Sequence, residues 1–336
     1  MRTIELGRTG ERVSQLALGC MNMGSLTDEA TSFAILDRYV EAGGTFLDTA
    51  NCYTWWNERG SLGGHSESLL GRWFARTGRR DEGFLATKAG AQMRDVDLMW
   101  GDGDQPRYEL MERNFDGAAP ETLRRSIDES LRRLRTDYVD LFYVHVDDRT
   151  TPLEETLEAL AGIVAAGKAR YLGWSNVRTW RMERIRQLCD RYGWPAPVAL
   201  QQQHSYLRRR AGLVHASIVD DEQLDYLREH DDLTLVAYSP LLKGVYTSPA
   251  KREGHFAMEP YLGPDADARL ATLEAVASEV GATPNQVVLA WLMAQTSPTI
   301  VPLIGPRTLE QYEENMAGLD VKLEPEQLER LDAAGA

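Results

Sequence analysis

The sequence predicts an α/β fold, a closed (β/α)8 TIM barrel, and three observations point there. Short β-branched or aromatic runs alternate with longer stretches of helical spacing, the pattern of a parallel sheet wrapped by helices, and about eight such alternations follow one another. The turn that a doubly wound nucleotide-binding sheet carries after its first strand is missing: Gly19 leads into Cys20-Met-Asn-Met-Gly24, not G-x-G-x-x-G. A length of 336 residues suits one such barrel with insertions, so residues 1–336 are read as a single domain.

The strand candidates, in chain order, are Ser14 to Gly19, Thr45 to Asp48, Gly83 to Lys88, Tyr138 to His145, Ala169 to Trp174, Val198 to Gln202, Leu233 to Ser239 and Thr299 to Ile304. Between the first two, Phe33, Leu36, Tyr39 and Val40 recur at helical spacing with Asp37, Arg38 and Glu41 on the other side, and Gly43-Gly44 stops the helix. Ahead of the fourth strand, Leu123, Ile127, Leu131 and Leu134 form an apolar stripe that should pack on the sheet, with Arg124, Arg125, Asp128, Arg132 and Arg133 outside it. Gly162 to Lys168 matches the phosphate-loop pattern G-x-x-x-x-G-K. Ala169 follows where a Mg²⁺-binding hydroxyl should stand, so the segment reads as the end of an apolar helix. Two connections are long and polar, Ala91 to Gly117 after the third strand and Leu242 to Pro264 after the seventh, and long loops at strand ends shape substrate sites.

Composition excludes several classes. With 43% hydrophobic and 26% charged residues the chain is neither disordered nor membrane-embedded in character. Its 37 Lys+Arg against 51 Asp+Glu leave a net charge of −14, which argues against nucleic acid or an anionic membrane as partner and leaves room for one local basic pocket. Cys20, Cys52 and Cys189 are too few and too scattered for a disulfide framework or a zinc ribbon, and fit a reducing compartment. Glu5, Arg8, Glu11 and Arg12 stand where a signal peptide would be apolar, and no window approaches about 18 uninterrupted apolar residues, so a cytoplasmic location is expected. No oligomeric state is legible.

In a barrel, reactive side chains gather at the C-terminal ends of the strands. Asp48 closes the second strand, Tyr53 lies five residues on, Lys88 closes the third and His145 the fourth. Singly, a strand-end His or a Lys–Asp pair is more often structural; together on three successive strand ends they make a proton-transfer set with no metal ligand and no nucleophile. A Lys ammonium beside the phenol should lower the pKa of Tyr53 toward a useful range, with Asp48 holding the Lys. His145 would orient a carbonyl oxygen or relay the proton, as a near-neutral pKa permits. A metal-dependent hydrolase would need clustered ligands, such as His-x-His at a first-strand end, and the sequence has none there.

Several stretches then resemble one family, the aldo-keto reductases. Asp48-Thr-Ala-Asn-Cys-Tyr53 followed by Gly64-His-Ser-Glu67-Ser-Leu-Leu-Gly71 resembles the family's first signature, and Thr87-Lys88 its lysine strand. Leu131 to His145 resembles the central signature, and Gly167 to Asn176 the segment that ends the fifth strand. The resemblance implies a (β/α)8 barrel that binds NADPH or NADP+ in preference to NADH, with Asp48, Tyr53, Lys88 and His145 as catalytic tetrad and Tyr53 as general acid toward an aldehyde or ketone. It places the nicotinamide carboxamide on Ser175, Asn176 and Gln201, with Gln202 as the alternative in the run of three glutamines, and the ring on Tyr238. Ser239, Pro240, Leu241, Lys243 and Gly244 resemble the pyrophosphate loop. Gly305, Arg307, Gln311, Glu314 and Asn315 resemble the adenosine-phosphate site, where the planar fork of Arg307 suits a 2′-phosphate. The runner-up is an NADPH-binding regulatory or redox-sensing protein like the potassium-channel β subunits of the same superfamily. Trp55, Trp56, Met93, Trp100 and Phe115, with the Leu242 to Pro264 loop, would either line an apolar pocket whose aromatic rim suits a bulky or cyclic carbonyl, or only pack the loops.

Overall fold

The structure is a computed structural model and describes residues 1–335. A hairpin of β1 (Thr3–Glu5) and β2 (Arg12–Ser14) precedes the barrel, its turn running through Gly7 and Gly10, both at positive φ. The barrel strands are β3 (Ala17–Gly19), β4 (Phe46–Asp48), β5 (Phe84–Ala89), β6 (Val139–Val144), β7 (Ala169–Ser175), β8 (Pro197–Gln203), β9 (Thr234–Tyr238) and β10 (Ile300–Ile304). They close in chain order, β10 pairing with both β9 and β3, and every barrel neighbour is parallel. The expected strand Ser14 to Gly19 is corrected: Ser14 ends the hairpin, and only Ala17–Gly19 enters the barrel.

Helices α1 (Glu29–Glu41), α2 (His65–Thr77), α3 (Val96–Trp100), α4 (Pro120–Leu134), α5 (Leu153–Ala165), α6 (Thr179–Tyr192), α7 (Asp221–Glu229), α8 (Pro249–Arg252), α9 (Pro264–Val280), α10 (Pro284–Ala294), α11 (Leu309–Ala317) and α12 (Pro325–Ala333) flank or extend the barrel. The carboxylate of Asp28 caps α1 by accepting from Thr31 N, and the helix buries Phe33, Leu36 and Tyr39 as its stripe requires. Gly44 then lies so close to the Tyr39 ring that a Cβ would stand 2.4 Å from it. The stripe of α4 is buried at Leu123, Ile127, Leu131 and Leu134. Gly162 lies inside α5 and Gly167 turns the chain at φ 73, so the phosphate-loop lookalike is a helix end. The two long connections are not plain loops. The first contains α3 and a 3-10 turn over Tyr108–Arg113; the second contains α8 and 3-10 turns over Leu242–Thr247 and Phe256–Tyr261. No helix among the described residues is long and apolar enough to cross a membrane.

Strand alternation sorts the side chains into two compartments. Phe46, Phe84, Ala86, Leu141, Tyr143, Ala199, Val236, Val301 and Leu303 fill the barrel interior, together with Leu6 and Val13 from the hairpin. Leu47, Leu85, Phe142, Leu172, Leu200 and Leu235 face the helices instead. Gly173 is required opposite Tyr143, because a Cβ there would sit 2.5 Å from the Tyr143 ring. Phe46 and Phe84 meet edge-on, with centroids 5.1 Å apart, toward the hairpin end. At the other end the inward positions become Asp48, Lys88, Ser175 and Gln201.

Candidate active site

The four sequence-nominated proton-transfer residues meet at the C-terminal mouth. Lys88 Nζ donates to Asp48 Oδ1 at 2.5 Å, to the Thr49 carbonyl at 2.8 Å and to the Tyr53 hydroxyl oxygen at 2.8 Å. Three acceptors on one ammonium fix it fully, and neither Lys88 nor Asp48 is exposed. Gln201 Nε2 donates to the second Asp48 oxygen at 2.8 Å, a contact that sequence reasoning did not foresee. The His145 N–H donates to Ala89 O at 2.8 Å, setting the imidazole beside Tyr53 with ring centroids 5.7 Å apart and planes at 82°.

Electrostatics here correct two expectations. Burial, reinforced by the Asp48 carboxylate, pushes the Tyr53 phenol well above its ordinary value. The Lys88 ammonium, bonded to Asp48, does not reverse this direction. Burial, followed by the Lys88 charge, holds His145 well below its usual value, so the ring is neutral near pH 7 and a relay through imidazolium is not supported. Both groups are therefore poised to share protons in hydrogen bonds, with the phenol protonated.

Beside this cluster, Asn176 holds a left-handed backbone (φ 55) that turns its amide inward. Its Nδ2 donates to His145 O at 2.8 Å and to Ser175 Oγ at 3.1 Å, and its Oδ1 accepts from the Tyr238 hydroxyl at 2.9 Å. Ser175 pairs with Gln201 across β7 and β8. Strand parity sends the two glutamines to opposite faces. Gln201 faces the interior, whereas Gln202 points to the helix layer, donating to Val177 O and Ala216 O and accepting from Val177 N.

After β9 the chain runs Ser239, Pro240, Leu241, Leu242, Lys243, Gly244 with positive φ at Ser239, Leu242, Lys243 and Gly244. Such left-handed runs turn backbone N–H groups into concave anion sites. Ser205 Oγ donates to Pro240 O at 2.5 Å and holds the run in place. Desolvation and the charge of Arg307 lower the Lys243 ammonium from its ordinary value, so two cations from distant parts of the chain stand near each other. Among the described residues neither has a carboxylate within salt-bridge distance. Arg307 follows Gly305 and donates its N–H to the Gln311 side chain at 2.8 Å; Glu314 accepts from Thr283 Oγ1 and Asn285 Nδ2, both at 3.2 Å, and Asn315 is buried. Two cations without a carboxylate partner, with Lys243 Nζ lying 4.5 Å over the Phe256 ring, and a left-handed backbone run together suit a phosphate-bearing cofactor.

Of the two readings of the aromatic residues, loop packing holds for Trp55 and Trp100. Trp55 and Trp100 are buried with Ala50, Cys52, Met93 and Met99 in a satellite core that packs the first long connection onto the segment after Tyr53. Trp56, edge-on to Trp55, and Phe115 are the aromatic members left half-buried. Glu67 of the first signature is a structural tie: its buried carboxylate accepts from Thr87 Oγ1 at 2.6 Å and from Arg133 Nε at 2.6 Å, locking α2 to β5 and α4. Cys52, which sequence reasoning passed over, places Sγ 3.6 Å from His145 Nδ1.

Comparison with known proteins places the chain in a family. The model of the Aldo/keto reductase family matches residues 15–336. The chain is 34% identical to the uncharacterized oxidoreductase YrpG of Bacillus subtilis, over 97% of this chain and 94% of that one. It is 35% identical to norsolorinic acid reductase stcV of Emericella nidulans, over 96% of this chain and 78% of that protein. To the aryl-alcohol dehydrogenase [NADP(+)] of Phanerodontia chrysosporium it is 28% identical, over 96% and 83%. Among solved structures, the thermostable aldo-keto reductase Tm1743, crystallised with the inhibitor epalrestat, superposes with a TM-score of 0.70 at 28% identity, covering 99% of this chain and 100% of that one. With a Lys–Asp–Tyr–His cluster at the mouth of a closed eight-stranded barrel and a family match from the first barrel strand onward, the chain belongs to the aldo/keto reductase family and is an oxidoreductase of that family.

Proposed function

We propose that this protein is an NADPH-dependent reductase of aldehydes or ketones, with a carbonyl on an aromatic or cyclic framework as the preferred substrate. The observation that carries the reading is the Lys88 ammonium bonded at once to Asp48, Thr49 O and the Tyr53 hydroxyl. Bound NADPH supplies the hydride. Asn176, Ser175 and Gln201 offer amide and hydroxyl partners for its carboxamide, Tyr238 a flat face for its ring, and Lys243 with Arg307 the cations for its phosphates. Tyr53, protonated at neutral pH, donates its proton to the carbonyl oxygen. The Lys88 ammonium, held by Asp48, stabilises the phenolate left behind. His145, neutral, donates a hydrogen bond to the same oxygen and orients it.

Half-open Trp56 and Phe115 at the mouth support an aromatic substrate, as do the names of two relatives, a norsolorinic acid reductase and an aryl-alcohol dehydrogenase. The test combines binding and turnover. Tyr53→Phe should lower carbonyl reduction by about 10²-fold to 10⁴-fold, the ordinary share of a general acid, with NADPH affinity unchanged. Arg307→Ala should weaken NADPH about tenfold or more and NADH little, the size expected for a charge-assisted contact to the 2′-phosphate. Titration by the quenching of tryptophan fluorescence reads the second; failure to bind either nucleotide overturns the reading. Equal catalytic efficiency on glyceraldehyde and on benzaldehyde would overturn the substrate class alone.

A further inference from the structure

Cys52 has no part in the chemistry above, yet its sulfur is the group that the described residues place on the His145 ring, 3.6 Å from Nδ1. Both partners are anchored. Cys52 immediately precedes Tyr53 and is buried with Ala50, Trp55 and Met93 in the satellite core. His145 is held through its own N–H on Ala89 O and its carbonyl under Asn176 Nδ2. The thiol keeps its proton, since burial pushes it up to about 12, which also makes it a poor nucleophile. The imidazole is neutral, and so carries one N–H and one lone pair. Which nitrogen keeps the proton is set by the hydrogen bond the other makes. An imidazole lone pair is a good acceptor, whereas sulfur is a weak one, so S–H to Nδ1 is the favoured direction.

We propose that Cys52 is a positioning residue: its S–H donates to His145 Nδ1 and so keeps the imidazole proton on Nε2, available to the substrate carbonyl oxygen beside the Tyr53 hydroxyl. This deepens the reductase reading and rests on it for the substrate. Without the thiol, the ring is free to place its proton on Nδ1 and to turn a lone pair toward an oxygen that needs a donor.

The direct test is a long-range ¹⁵N–¹H correlation spectrum of the full-length protein without cofactor. The chain has six histidines, and His145 is assigned by the signals lost in His145→Gln. The expected result is the Nε2–H form in the wild type, a mixture of tautomers in Cys52→Ala and the Nε2–H form again in Cys52→Ser, whose hydroxyl also donates. An Nδ1–H wild type, or an Nε2–H form equally dominant in Cys52→Ala, overturns the proposal. In turnover, Cys52→Ala should lower kcat/KM for benzaldehyde about threefold to tenfold, the range of one modest hydrogen bond, with NADPH affinity unchanged and recovery in Cys52→Ser. Unchanged kcat/KM in Cys52→Ala also overturns it. If the wild type reduces no carbonyl, the reductase reading fails, while the spectra still decide the hydrogen bond.

Discussion

Burial and the Asp48 carboxylate push the Tyr53 phenol well above its ordinary value, so it stays protonated even in mildly alkaline solution. The two directions of reaction should therefore differ in their pH dependence. Reduction needs the phenol and should stay flat from neutral pH to about pH 9, whereas alcohol oxidation needs the phenolate and should rise with pH across the same range. Parallel kcat/KM profiles for an aryl aldehyde and its alcohol check this; an oxidation rate flat with pH would mean that Tyr53 is not the proton-transfer group. That Asp48, Tyr53, Lys88 and His145 come together was legible in the sequence because three of them close successive strands and Tyr53 follows Asp48 by five residues. Their protonation was not. A lysine beside a tyrosine suggests a lowered phenol, and only burial and the third partner, Asp48, reverse the sign. Gln201 against Gln202 was equally illegible, since three consecutive glutamines carry no parity until Leu200 is seen to face the helices.

At the scale of elements, the family signature around Glu67 is structural in purpose. Glu67 is buried with its two oxygens on Thr87 and Arg133, and Gly71 one turn later has no room for a Cβ, which would stand 2.0 Å from Arg133 O. Arg133→Met should destabilise the protein by about 3–5 kcal/mol, because a buried carboxylate loses its counter-charge, and Glu67→Gln should cost less. Urea unfolding measures both; a loss below about 1 kcal/mol in Arg133→Met, the level of a surface pair, would show that the tie is dispensable. Strands of five to seven residues and helices with a clear stripe were legible from periodicity. The three-residue strands of the hairpin were not, being too short to show alternation, nor were the short helical pieces in the long connections, set by packing on Trp55 and Trp100 in the first and on the main core through Val245, Tyr246 and Tyr261 in the second.

Across the whole molecule, the barrel interior is apolar at the hairpin end and charged at the mouth. Leu6 and Val13 close the apolar end, both fully buried. Leu6→Ala should cost about 2–5 kcal/mol of stability, as expected for a buried leucine, and leave kcat and NADPH affinity unchanged at 25 °C. Thermal and chemical unfolding set beside steady-state kinetics test that separation; a fall in kcat at a temperature where the variant is fully folded would contradict it. Strand parity has a further consequence for how such a protein changes over generations. Asp48, Lys88 and Gln201 stay inside only while each strand keeps its count, so inserting or deleting one residue would rotate a charge (β4, β5) or an amide (β8) into the helix layer. The connections Ala91 to Gly117 and Leu242 to Pro264 carry no strand parity, although Lys243 and Gly244 at the start of the second belong to the left-handed run beside the site. New substrates are thus open to exploration by swapping loops, and the proton-transfer machinery is inherited whole.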